Sequence, residues 1–104
     1  MDSGIYQVVT DFAKQIKNEC PVTVKSVYIY GSHVKGLAGC NSDIDVAVVI
    51  GPVADSEYNQ VFGELFNIAA AYDANLEPNL LVDDGEYCKY SFLAEVMETG
   101  QKIA

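Results

Sequence analysis

The chain has 104 residues, which suits one domain with a single small core. Half of the residues are hydrophobic, a fifth are charged and no low-complexity tract appears, which excludes a disordered chain, and the longest apolar run, Val46–Ile50, is far short of a bilayer span. A net charge of −9, with six lysines and no arginine, argues against direct nucleic-acid binding and leaves two readings: a basic protein partner, or a charge that only keeps a small domain soluble.

The start, MDSGIYQ, has an early acid and no basic segment, so no signal peptide is expected. Cys20, Cys40 and Cys88 are odd in number and lack C-x-x-C spacing, which reads as free thiols in a reducing cytoplasm. The single histidine, His33, rules out a histidine-based triad and is read as a surface residue.

Ser3 to Asn18 is predicted as a helix, with Ile5, Val8, Val9, Phe12, Ala13 and Ile16 on one stripe. Asp2 or Ser3 can cap its start, and Pro21 stops it. Val22 to Tyr30 reads as a first strand, with Val27 and Ile29 on one face and Tyr28 and Tyr30 on the other. The tyrosine face either borders a ligand cleft or packs beneath a helix. Gly31-Ser32 then turns the chain. Ser32 would open a short helix to Ala38, whose N-terminal N–H groups suit a phosphate.

A second strand starts at Asp43-Ile44-Asp45 and continues as the apolar run Val46–Ile50, expected to be central and covered on both faces. Strand residues two apart share a face, so both carboxylates enter one cleft while Ile44 faces the core. Like charges about 7 Å apart repel, and a divalent cation relieves this. Mg²⁺ suits such a pair because it takes oxygen ligands and is completed by substrate phosphates.

Gly51-Pro52 ends the strand. Asp55 or Ser56 would cap a second long helix to about Ala74, with Val61, Phe62, Leu65, Phe66, Ile68, Ala69 and Tyr72 as its apolar face and Glu57 and Glu64 in solvent. Leu76–Val82 is a third strand, placed at an edge by Pro78, with Glu77 just before the proline. Asp83-Asp84-Gly85 is a turn, and Ser91–Thr99 a last helix stopped by Gly100. Helices alternate with strands, so the expected class is α/β (α+β): a mixed sheet of three to five strands with helices mainly on one face.

Gly31-Ser32, ten intervening residues and Asp43-x-Asp45 together resemble the G-S-x10-D-x-D pattern of the DNA polymerase beta-like nucleotidyltransferases. The fuller run GSHVKGLAGCNSDIDVAVV is similar to that family's core, with Lys35, Gly36 and Ser42 also in register. The segment from Leu76 onward is similar to the endings of minimal, single-domain members. The resemblance implies a Mg²⁺-dependent transferase. Asp43, Asp45 and a third carboxylate would hold one or two ions, and Gly31, Ser32, Lys35 and Ser42 would bind the nucleotide. Glu77 best matches the third carboxylate, with Asp83 as the alternative. Such minimal proteins often resemble antitoxins that move AMP from ATP onto a tyrosine of a helical HEPN-type toxin. Two other readings stand beside this one: a transferase with a small-molecule acceptor, and a non-catalytic module that masks its partner.

Overall fold

The structure, a computed structural model, describes residues 3–19, 22–31, 43–73, 75–83 and 92–104. The expected helix Ser32–Ala38, the three cysteines, Pro21, Ala74 and the Asp84-Gly85 part of the turn lie outside the described residues, as do Ser32, Lys35 and Ser42. The elements in order are α1 (Ser3–Glu19), β1 (Val24–Tyr30), β2 (Ile44–Ile50), α2 (Asp55–Tyr72), β3 (Leu76–Val82), α3 (Phe92–Thr99) and β4 (Gln101–Lys102).

The four strands form one mixed sheet in the order β3-β2-β1-β4. β1 runs antiparallel to β2, and β2 runs parallel to β3. A parallel neighbour requires a crossover, and α2 supplies it. The apolar run of β2 is buried along its whole length, as a strand with neighbours on both sides and helices on both faces must be. β3 is an edge strand, which accommodates Pro78 and its missing N–H.

Alternation along the strands divides the interior into two layers. On one face Val27, Ile29, Ile44, Val46, Val48, Ile50, Leu76 and Leu80 pack against Val9, Phe12, Ala13 and Ile16 of α1 and Val61, Leu65 and Ala69 of α2. On the other face Tyr28, Ala47 and Val49 pack beneath Leu93 and Val96 of α3. The described helices thus lie two on one face and one on the other.

Three expectations change. The N-cap of α2 is Ala54, with no side-chain cap bond; Asp55 stands inside the first turn, where with Glu57 it favours the positive end of the helix dipole. The buried seam of α2 is narrower than its apolar stripe: Phe66 is 48% exposed, while Tyr72 stands against α1, its ring edge-on to Phe12 and its hydroxyl donating to Gln15 at 2.5 Å. β4 was not anticipated. Its two residues pair with Tyr28 and Ile29, and Ile103 and Ala104 continue along β1 through backbone bonds to Val27.

Among the described residues, no helix is long and apolar enough to cross a membrane.

Candidate active site

Three side chains form a row across the sheet. Tyr30, the last residue of β1, is the register partner of Asp45 on β2, and Asp45 is the partner of Glu77 on β3. Register partners share a face, so a phenol and two carboxylates lie side by side at one end of the sheet. The next row is Tyr28, Ala47 and Asn79, which continues the same face towards α3.

Asp43 precedes β2 by one residue, and its exposed carboxylate turns to Glu77. The negative charge of Asp43 is the main cause that holds the Glu77 carboxyl above its ordinary range; loss of hydration and the charge of Asp45 push the same way, and the Glu77 carboxyl hydrogen-bonds to Asp43 when protonated. Glu77 is exposed, so solvent screens this repulsion. Ile44, between the aspartates, points to the core.

Gly31 makes the turn that follows β1 and has φ +81°. Glycine adopts that conformation without a Cβ penalty, and here it lets the carboxylate of Asp45 approach the turn closely.

The Tyr30 hydroxyl accepts a hydrogen bond from the Asn79 side-chain amide. Phe92 at the start of α3 packs edge-on against the Tyr30 ring, with centroids 5.4 Å apart and planes at 82°. Burial, first, and the charges of Asp45 and Glu77 hold the phenol above its ordinary pKa, partly offset by the bond from Asn79. Asn79 is the polar group that the sequence reading passed over. Its signal was a lone amide in the otherwise apolar LLV end of β3, two residues beyond Glu77 and therefore on its face.

Asp83 lies at the far end of β3. Its backbone N–H donates to Ile50, and its carboxylate stands 3.9 Å from the Lys25 ammonium. The fold therefore brings Glu77, and not Asp83, to Asp43 and Asp45.

Among the described residues no three His, Cys, Asp or Glu side chains converge tightly enough to hold a metal ion unaided. Mg²⁺ asks for less. It keeps several waters and binds through one or two carboxylates together with substrate phosphates. The oxygen-only donors and the Asp43–Glu77 repulsion fit such an ion.

The family model described as "Polymerase beta, Nucleotidyltransferase" matches residues 13–104. No curated protein matches the sequence significantly. Among solved structures, one described as a "putative nucleotidyltransferase" from Sulfolobus solfataricus superposes with a TM-score of 0.58 at 18% identity, over 94% of this chain and 76% of the other. A structure described as a toxin-antitoxin with AMP-PNP superposes with a TM-score of 0.60 at 21% identity, over 91% of this chain and 72% of the other. At these identities the two structures share the fold.

Proposed function

The chain belongs to the polymerase beta nucleotidyltransferase family, and on that premise we propose that it transfers AMP from Mg·ATP to a tyrosine hydroxyl of a partner protein, as the antitoxin of a toxin–antitoxin pair. The observation that carries the chemistry is that Glu77 stands beside Asp43 and in register with Asp45, whose carboxylate lies against the Gly31 turn. Asp43, Asp45 and Glu77 would hold one or two Mg²⁺ ions. Bound there, the metal would neutralise phosphate charge and acidify the attacking hydroxyl.

The chain's own groups do the rest. The backbone amides of Gly31 and Ser32 would hold the β- and γ-phosphates, Lys35 would add charge there, and Ser42 would contact the nucleotide. Glu77 would either ligate the second ion or take the proton of the acceptor hydroxyl. The acceptor oxygen bonds to the α-phosphorus as the bond to pyrophosphate breaks. Positioning and charge neutralisation supply the rate.

Two features support a protein acceptor. The net charge of −9 steers in a basic partner and repels nucleic acid. A fold neighbour is itself a toxin-antitoxin structure holding AMP-PNP. The partner in this reading is a basic, helical HEPN-type toxin in the cytoplasm.

The test is to incubate the protein with ATP, Mg²⁺ and the product of its neighbouring gene, then weigh the partner by intact-mass spectrometry. One or more AMP units on the partner, absent with Asp43→Asn, is the expected result. Full neutralisation of the partner by Asp43→Asn, with no adduct from wild type, would overturn this reading in favour of a masking module. Transfer to a small hydroxyl compound instead would favour the small-molecule reading.

A further inference from the structure

Three aromatic rings run along α2. Tyr58 and Phe62 stack with centroids 6.5 Å apart, and Phe62 meets Phe66 at 6.0 Å. Tyr58 is anchored at the sheet edge, where its hydroxyl donates to the Leu80 carbonyl of β3 at 2.8 Å. Residues four apart advance by about 40° round a helix, so the row turns from the core towards solvent. Tyr58 and Phe62 are half-buried, and Phe66 is exposed.

Gly63 follows Phe62 and lies one turn before Phe66. A Cβ built on it would meet nothing within 4 Å, so internal packing does not call for glycine at this mid-helix position. Glycine there lowers helix stability relative to alanine. What it leaves is a bare helix surface beside an exposed ring.

The topology puts this patch at the carboxylate end of the sheet. β2 and β3 are parallel and in register, so α2 runs back along β3 and its C-terminal half lies at the strand starts. Phe66 comes eight residues after Tyr58. That is about 12 Å along the helix, or about three to four strand residues back from Leu80. Phe66 is therefore level with the start of β3, where the exposed Glu77 stands on the other face of the same edge strand.

Charge selects the occupant. α2 and β3 together carry Asp55, Glu57, Glu64 and Glu77 and no lysine or arginine. A second copy of this face would set acid against acid. A protein with an apolar patch rimmed by lysine or arginine complements it, and an exposed aromatic side chain is the kind of anchor that such an interface is built on.

Resting on the reading of a protein acceptor, we propose that the Phe62–Gly63–Phe66 face of α2 is the docking surface for the protein that carries the acceptor hydroxyl. That partner has an apolar patch rimmed by basic side chains. Held there, it reaches Glu77 round a single edge strand, and its tyrosine enters the site from the β3 side.

The experiment measures association of the full chain with the product of its neighbouring gene by isothermal titration calorimetry, without ATP and at two salt concentrations. AMP transfer is weighed on the same samples. Phe66→Ala is expected to weaken association by about tenfold or more. Gly63→Gln puts a side chain into open space, and is expected to weaken association while melting no lower than wild type. Both variants should bind Mg·AMP-PNP as wild type does, and raised salt should weaken the wild-type complex. If Phe66→Ala melts early, Gly63→Gln decides. Wild-type association in both variants would overturn the docking surface and leave the transfer reading standing. Weakened association in both, with no AMP on the partner from wild type, would support the surface and overturn the transfer reading. Absence of association with wild type would overturn the proposal. So would gel filtration in which the chain alone dimerises and Phe66→Ala does not, which would assign the face to a second copy.

Discussion

The carboxylate of Asp45 occupies the space that a side chain at Gly31 would need: a Cβ built on Gly31 would lie 2.5 Å from Asp45 Oδ2. The positive φ of +81° adds backbone strain for any other residue. The Asp45 carboxylate is the far end of a side chain and can swing away, so the clash costs function more than stability. Gly31→Ala is expected to destabilise by about 1–2 kcal/mol, mostly from the backbone, a few degrees to about 10 °C in melting temperature for this size. Nucleotide transfer should fall by far more than that loss of folded protein explains. Melting curves and rates on the same samples test this, and a variant of reduced stability with wild-type rate would contradict it.

Asp43→Asn and Asp45→Asn should each remove Mg²⁺-dependent transfer, by more than the ~100-fold that loss of an outer-shell partner costs. Chelation of Mg²⁺ in wild type should do the same. Each variant relieves like-charge repulsion near Glu77, so neither should melt below wild type in the absence of metal. Full activity in either variant would show that the metal is held elsewhere.

Glu77→Gln should raise the melting temperature at neutral pH. The neighbouring Asp43 raises the folded-state pKa of Glu77 above its unfolded value, so the folded protein holds that proton more tightly. Stability from this group is fully present below the ordinary glutamate pKa and is lost as pH rises through the higher folded-state value. The stabilisation by Gln should accordingly vanish as pH falls below the ordinary glutamate range. It should also shrink with salt, because Glu77 is exposed. Melting against pH at two ionic strengths checks both, and a pH-independent difference would remove the charge explanation.

Asp83→Asn is the matched control on the same strand. Its contact with Lys25 is a surface pair, worth about 0–1 kcal/mol. Transfer rates within twofold of wild type are expected, together with a melting shift of a few degrees at most. A large loss of activity would reopen the choice between Asp83 and Glu77.

Much of this was legible because the relevant signals are local. The unbroken run Val46–Ile50 marks a strand covered on both faces, and Pro78 marks an edge. The spacing of Val9, Phe12, Ala13 and Ile16 marks the buried face of α1. What escaped depends on partners far along the chain. Gln101 and Lys102 have no alternation of their own and become a strand because β1 offers them backbone groups. Phe66 lies on the apolar stripe of α2, yet among the described residues no strand or helix covers it. Asn79 gains its role only when Tyr30 arrives across β2. The nucleotide contacts expected of Ser32, Lys35 and Ser42 fall on residues outside the described ones.

The parallel pairing of β2 with β3 also sets an order on how the protein comes to life. Tyr30 and Asp45 belong to an antiparallel pair close along the chain, whereas Glu77 arrives only after the whole of α2 has crossed the sheet. Pairings of long sequence separation form late, because chain entropy is lost before contacts reward it. The pairing that brings Glu77 to the two aspartates is therefore expected to form later than the pairing of Tyr30 with Asp45. In a stopped-flow refolding experiment, capture of Mn·AMP-PNP should follow the slowest structural phase. Capture ahead of that phase would mean that Glu77 is dispensable to the grip, and the site would then be the property of a hairpin and not of the whole fold.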